Sequence, residues 1–212
     1  MLRYYSQGMK NYIIEYIGTF FLVLTIALTG NPLAIGTALM VMVYMGGYIS
    51  GAHYNPAVTF ACLMNKAITP LHALFYVFAQ LAGAFTAAFL YRHLTGMIFV
   101  AAPGPDASLA SAYLVEAIFT FVLAYVVLNT AVSTVVKNNS YYGVAIGATV
   151  FVAATAGGSI SGGAFNPAVG LGPMLYNLSE LNMEHMWLYI AGPLIGGGIA
   201  GVLYKFTAVE GK

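Results

Sequence analysis

The chain has 212 residues, of which 60% are hydrophobic and only 6% are charged, and its formal net charge is +1. A soluble domain normally carries about 25% charged residues. Because so few charges cannot cover a water-exposed surface, we expect lipid to cover most of the outside. The small net charge offers no basic face for nucleic acid, and the single cysteine, Cys62, excludes an intrachain disulfide and a multi-cysteine metal site.

Six apolar stretches approach the ~20 residues that a helix needs to cross a bilayer. They cover residues 11–30, 33–49, 70–92, 111–132, 141–157 and 185–206. Two shorter apolar stretches, 56–64 and 167–176, are too short to span, and Asn-Pro opens each of them. Asn is a favoured N-cap and Pro a favoured first helical residue, so each pattern predicts a short helix beginning there.

The two halves of the chain repeat one another. The stretch GGYISGAHYNPAV matches GGSISGGAFNPAV, and HALFYVFAQLAGA matches HMWLYIAGPLIGG. A third match begins at Glu15 and Glu116. We therefore predict two repeats, residues 1–104 and 105–212, which together form one membrane channel domain. With three spans in each repeat, the second copy must enter from the opposite side of the bilayer, which gives an inverted repeat.

Positive residues fall mainly on one predicted side of the membrane. With the N-terminus inside, Arg92 alone falls outside, and six residues fall inside: Arg3, Lys10, Lys66, Lys137, Lys205 and Lys212. This bias follows the positive-inside rule. It predicts a multi-pass protein whose N- and C-termini are both cytoplasmic, without indicating which membrane holds it.

Two Asn-Pro-Ala motifs carry the strongest functional signal. A helix N-terminus carries about +0.5 elementary charge and unpaired N–H groups, so two such ends meeting near the midplane would repel cations. The Asn amides can donate hydrogen bonds to a passing oxygen. A water held in this way would oppose proton hopping while still moving. The predicted pore motifs are Asn55, Pro56 and Ala57, and Asn166, Pro167 and Ala168.

The segments before the two motifs are rich in glycine and are predicted to be irregular. Irregular backbone at membrane depth is tolerated where it lines a water-filled cavity. Either segment alone would suit an ordinary interhelical turn, but two copies at matched positions favour a pore. The predicted lining backbone is Gly51, Ala52, His53, Tyr54, Gly162 and Ala164. For His53, a pH-sensing role and a hydrogen-bonded structural role both remain open.

These motifs resemble those of the major intrinsic protein family, the aquaporins and aquaglyceroporins. The resemblance covers nearly the whole chain and includes SGAHYNPAVT, SGGAFNPAV, the two glutamates and Gln80. It implies an all-α integral membrane fold with six transmembrane helices and two half-helices in an inverted repeat. It also implies a homotetramer with one pore per subunit, which passes water and small neutral solutes across the lipid bilayer and needs no cofactor or metal.

The family has a narrow filter on the outer side, and the resemblance places its four positions at Ile35, Ala154, Gly163 and Val169. Water-selective members usually have Arg at the last position. Some plant vacuolar-membrane members have Val there and are associated with water, urea, ammonia and hydrogen peroxide. Four small or aliphatic residues make a wider, less polar constriction. We therefore expect water to pass together with ammonia, urea, hydrogen peroxide or glycerol.

Other interpretations of the sequence concern the buried acids and the protein class. Carboxylates inside a membrane are a functional hypothesis by default. A proton relay is conceivable for Glu15 and Glu116, but a structural role as acceptors of backbone hydrogen bonds is favoured. A secondary transporter, which can also have inverted repeats and broken helices, and a non-conducting structural membrane protein are the alternatives. An enzyme is not expected, because no nucleophile–base pair, phosphate-binding loop or metal-ligand cluster is found.

Overall fold

The computed structural model describes residues 2–177 and 185–209, with side chains described from Gly8 onward. Within these residues the chain forms helices and connecting loops. The helices are α1 (Leu2–Thr29), α2 (Pro32–Ser50), α3 (Pro56–Met64), α4 (Pro70–Thr95), α5 (Leu109–Val127), α6 (Tyr142–Ser161), α7 (Pro167–Tyr176) and α8 (Leu188–Thr207). A π-helical segment, Leu128–Val132, extends α5.

Six of these helices are long and apolar enough to cross a membrane: α1, α2, α4, α5 with its π-helical extension, α6 and α8. The surface of the bundle carries large apolar side chains such as Phe78, which is 60% exposed, whereas Glu15 and Glu116 are completely buried. A surface of this kind suits contact with lipid and not with water. The prediction of an all-α membrane fold is confirmed.

The helices α3 and α7 are too short to span. They have 9 and 10 residues, which at 1.5 Å per residue correspond to about 14 and 15 Å, or roughly half the hydrocarbon core. Each begins at the proline that follows its Asn N-cap, because proline fixes φ for a first helical turn and has no N–H to leave unpaired. Both are therefore half-helices.

The packing of the helices shows the inverted repeat. The span α1 packs against α4, and α5 packs against α8, while α2 crosses α6 between the two repeats. Each half-helix also contacts a span of the other repeat, α3 against α8 and α7 against α4. The half-helices therefore enter from opposite ends of the bundle and meet inside it.

The described cations are divided between the two ends of the bundle. Lys10, Lys66, Lys137 and Lys205 lie at the end where α4 and α6 begin and where α8 ends. Arg92 lies near the end of α4, at the opposite end of the bundle, where it donates to the Asn177 side chain at the end of α7. The Arg3 side chain and Lys212 lie outside the described part of the chain.

Candidate pore and its lining

The N-termini of the two half-helices meet inside the bundle, and each is capped by its own asparagine. Asn55 Oδ1 accepts a hydrogen bond from the Ala57 N–H at 2.8 Å, and Asn166 Oδ1 accepts one from the Ala168 N–H at 2.9 Å. Both asparagines are almost completely buried. Two positive helix ends therefore face each other in a region shielded from bulk water.

The same asparagines join the two repeats. Asn55 Nδ2 donates to the Phe165 carbonyl oxygen at 2.9 Å, and Asn166 Nδ2 donates to the Tyr54 carbonyl oxygen at 2.8 Å. A side-chain amide carries two N–H groups. Each asparagine therefore holds the opposite repeat with one N–H and keeps a second N–H for another acceptor.

The chain before each half-helix has the irregular backbone that the sequence predicts. The helices α2 and α6 end where Gly51 and Gly162 take left-handed conformations, with φ of 89° and 87°. Tyr54 and Phe165 also lie in the left-handed region, at φ of 49° and 48°. This conformation costs roughly 1–2 kcal/mol for a residue with a side chain, so other contacts must hold the two segments in place.

Glu15 supplies those contacts in the first repeat. Its carboxylate accepts hydrogen bonds from the backbone N–H of His53 at 3.0 Å and of Tyr54 at 2.7 Å. It also accepts from Ser50 Oγ at 2.7 Å and from Gln80 Nε2 at 2.9 Å. A buried carboxylate is tolerated when its oxygens are satisfied in this way, and here it fixes the irregular segment.

Glu116 does the same in the second repeat with fewer partners. It accepts from the backbone N–H of Ala164 at 2.9 Å and of Phe165 at 2.6 Å, and from Ser161 Oγ at 2.7 Å. The position equivalent to Gln80 is Pro193, which has no side-chain donor. The two glutamates are thus equivalent in role, but the first is held more completely.

Sequence reasoning missed a pair of tyrosines that support both segments. Tyr76 donates its hydroxyl hydrogen to the Ser50 carbonyl oxygen, and Tyr189 donates to the Ser161 carbonyl oxygen, each at 2.6 Å. They bind the last carbonyls of α2 and α6, which have no partner within their own helices. The signal was present, because both repeats have Tyr at the same position of HALFY and HMWLY.

A narrow cavity, here called the central cavity, passes the two asparagines. Its volume is about 30 Å³, and a buried water needs about 10–15 Å³ of such space, so the cavity has room for about two or three waters. Its walls are mostly aliphatic, with Asn55 and Asn166 as the side-chain amides. Four of the predicted backbone positions line it, namely Ala52, His53, Tyr54 and Ala164.

Three of the four predicted filter residues lie at this cavity. Ile35, Gly163 and Val169 line it, and none of them has a polar side chain. Ala154 does not line it. It lies four residues after Val150, which does, and residues four apart share a helix face. The cavity wall of α6 therefore leads toward Ala154, in the direction of the C-terminal end of that helix.

The loop between α4 and α5 folds against the end of α6 and the irregular segment that follows it. The Gly104 N–H donates to the Ile160 carbonyl oxygen at 3.0 Å. Gly162 lies so close to the Ala102 backbone that a Cβ there would overlap it. Ala101 is buried in the same cluster as Val169. The loop thus packs beside the end of the central cavity where Val169 lies.

Two opposed half-helices, tied to each other inside an inverted repeat of spans, define an integral membrane channel of the aquaporin type. The model of the family described as "Major intrinsic protein" matches residues 25–204. The chain therefore belongs to the major intrinsic protein family, the aquaporins and aquaglyceroporins, whose members are passive channels for water and small solutes and not enzymes.

Individual relatives come from both branches of that family. The chain is 41% identical over 172 residues to aquaporin TIP1-1 of Arabidopsis thaliana, covering 79% of this chain and 66% of the relative. It is 34% identical over 222 residues to glycerol uptake facilitator protein-like 6 of Lactiplantibacillus plantarum, covering 95% of this chain and all of the relative. The chain spans about two thirds of the length of the TIP1-1 aquaporins of Arabidopsis thaliana and Oryza sativa subsp. japonica.

A solved structure shares the fold. The aquaglyceroporin from Plasmodium falciparum superposes with a TM-score of 0.82, covering 94% of this chain and 96% of that chain at 21% identity. The agreement over nearly the whole length supports the arrangement of six spans and two half-helices.

Proposed function

We propose that the chain conducts water together with one or more of ammonia, urea, hydrogen peroxide and glycerol, without energy coupling. One relative is named an aquaporin and another a glycerol uptake facilitator, so both solute classes occur among similar proteins. The TIP relatives support ammonia, urea and hydrogen peroxide as solutes. The reason is that Val169 matches the valine of the plant vacuolar-membrane members, which are associated with these solutes.

The observation that carries this proposal is the meeting of the two capped half-helices. Asn55 and Asn166 each use one N–H to hold the opposite backbone, which aims the remaining N–H groups as two fixed donors. A water oxygen that accepts from both must turn its own hydrogens away along the pore. Together with the two positive helix ends, this arrangement passes water and excludes cations and protons.

The outer filter sets the range of solutes. In this proposal it consists of Ile35, Ala154, Gly163 and Val169, which offer no side-chain donor and no positive charge. An apolar constriction without Arg leaves more width and favours solutes that are neutral and larger than water. It also leaves cation exclusion to the half-helices alone, because the filter itself has no cationic group.

The test is permeation through purified protein in vesicles, with protein-free vesicles as the control. Stopped-flow measurements compare water, ammonia, urea, hydrogen peroxide and glycerol, and a pH-sensitive dye reports proton leakage. We expect water and at least one larger solute to pass, and protons to be retained. Water flux with rejection of all four other solutes would contradict the solute range, and flux that depends on an ion gradient would contradict passive conduction.

We further propose a homotetramer with both termini cytoplasmic, built from repeats 1–104 and 105–212. The charge bias among Lys10, Lys66, Lys137 and Lys205 supports the orientation. The loop between α4 and α5 supports the repeat boundary. Light scattering of the detergent-solubilised protein tests the assembly, and labelling of cysteines introduced at either end of the bundle, in a Cys62→Ala background, tests the orientation.

A further inference from the structure

The central cavity is followed by a second, wider cavity at the cytoplasmic end, here called the inner cavity. It has a volume of about 450 Å³, and its walls include Asn11, Thr69, His72 and Tyr76. Among the described residues, two line both cavities, His53 and Val127. A solute that passes from one cavity to the other must therefore pass both His53 and Val127.

Val127 occupies the middle of a stripe of cavity-lining residues that runs from α5 into its π-helical extension. Leu123 lines the central cavity, Val127 lines both cavities, and Ala131 lines the inner cavity. These residues are four apart, so they share one face of the helix. Val127 is only 4% exposed, so its side chain sits at a narrow place. It is also the last residue before the π-helical turn, and such turns are frequent at functional sites.

The other residue that lines both cavities is a histidine whose ring is fixed. Its Nδ1 lies 3.1 Å from Thr59 Oγ1, and its ring packs edge-on against Tyr76 at 5.2 Å between centroids. The His53 backbone N–H is bound to Glu15. These contacts hold the ring in one place where the two cavities adjoin.

The hydrogen bonds of Thr59 determine which nitrogen of His53 carries the proton. The Thr59 hydroxyl donates its one hydrogen to the Asn55 carbonyl oxygen and accepts from Gln80 Nε2. It can serve His53 only as an acceptor. In the neutral ring Nδ1 is therefore the donor, and Nε2 is a bare acceptor. A Cβ at Gly51 would lie 3.5 Å from Nε2, which places this atom beside another residue of the inner-cavity wall.

We propose that Val127 and His53 form a second selecting constriction on the cytoplasmic side of the Asn-Pro-Ala motifs. Val127 sets its width, and His53 Nε2 offers a hydrogen-bond acceptor to solutes that carry N–H or O–H groups. The outer filter has no side-chain acceptor, so this site favours water, ammonia and urea over apolar molecules of similar size. The inference rests on the proposed conduction route through the central cavity.

The width is tested with substitutions at Val127 and a matched control on the same helix. V127A should raise the ratio of urea permeability to water permeability by about tenfold. One methylene group in an apolar pocket changes the discrimination between two molecules by about that factor or more. V127F should lower the flux of both solutes. Val122 is 37% exposed, and V122F should leave both fluxes as in the wild type.

The acceptor is tested separately with V127T and H53F. Thr is isosteric with Val, so V127T keeps the width and adds a polar group, and water flux should rise. H53F keeps a ring but removes the Nε2 acceptor, and the selectivity for urea over an apolar solute of similar size should fall. Thermal unfolding of every variant, monitored by tryptophan fluorescence, identifies those that fail to fold, and V127A and V127T remain informative if V127F does.

The outcomes separate this inference from the proposed function. Urea-to-water ratios that are equal in the wild type, V127A and V127T would overturn the constriction, even if the wild type conducts every solute. A wild type that passes water alone would contradict the proposed solute range. An increase in urea flux in V127A would then still support the constriction.

Discussion

Gly36 and Gly147 contact each other backbone to backbone where α2 crosses α6. A Cβ at Gly36 would lie 2.6 Å from the Gly147 carbonyl oxygen, and one at Gly147 would lie 2.5 Å from the Gly36 carbonyl oxygen. The two residues are equivalent in the repeats, being 111 positions apart like the two asparagines. The contact is therefore symmetric, and it is close only because neither residue has a side chain.

Gly147→Ala should destabilise the protein. The added methyl group meets backbone, which cannot move aside, and overpacking of this kind costs about 1–3 kcal/mol. Gly158→Ala on the same helix is the control, because a Cβ there meets nothing within 4 Å. Thermal unfolding in detergent should show a lower midpoint for Gly147→Ala and an equal or higher midpoint for Gly158→Ala. Equal midpoints for both variants would contradict the close crossing.

Val169→Arg should narrow the outer filter and reduce the flux of urea or glycerol more than that of water. The long cationic side chain would enter a cavity whose neighbouring walls, Ile35 and Gly163, are small or aliphatic. Val169→Ile adds one methylene without charge and is the matched control, with a smaller effect. Stopped-flow light scattering measures both. An equal loss of water and larger solutes would count against the filter position.

Glu116→Gln should lower stability more than Ser161→Ala does. A Gln side chain has one acceptor oxygen, so its NH₂ group would face a backbone N–H of Ala164 or Phe165, both of which now bind the carboxylate. Leaving such a buried donor unpaired costs about 1–3 kcal/mol. Ser161→Ala removes one partner of the carboxylate and leaves the N–H groups of Ala164 and Phe165 bound. It also removes the acceptor of the Gly163 N–H, but that group is only partly buried and loses less. If Glu116→Gln unfolds at the wild-type temperature, the structural role of this carboxylate is wrong.

Tyr189→Phe should destabilise the second repeat while leaving the pore open. The change removes only the hydroxyl that binds the Ser161 carbonyl oxygen, a loss of about 1 kcal/mol. Tyr48→Phe is the control, because Tyr48 is 83% exposed. Unfolding midpoints and water flux are measured on the same preparations. A loss of flux without a loss of stability would mean that Tyr189 acts on the solute and not on the fold.

Local signals explain why the sequence predicted the half-helices so well. Proline after a capping asparagine fixes a helix start by itself, and the predicted ranges 56–64 and 167–176 match α3 and α7. The sequence also predicted the six long spans, but the ends of several helices differ from the predicted ends. For example, α1 begins at Leu2 and not near residue 11, because helical hydrogen bonds continue into polar sequence where hydropathy falls.

The lining of the pore was harder to predict, because it depends on how distant segments pack. The π-helical turn after Val127 and the cross-repeat bonds of Asn55 and Asn166 have no local sequence signal. The filter positions came from the family resemblance, and Ala154 stays a prediction, since it lies beyond the walls of the central cavity. In the sequence, Val127 does not differ from the other apolar residues of its span, because its position at both cavities depends on the packing of distant helices.

The bonds that tie the halves together end on main-chain oxygens, those of Tyr54 and Phe165. Every amino acid supplies such an oxygen, so the attachment places no demand on which side chain stands there. The two positions can therefore hold tyrosine in one half and phenylalanine in the other without loosening the join. A change of side chain at either position thus leaves in place the acceptor that the opposite asparagine needs.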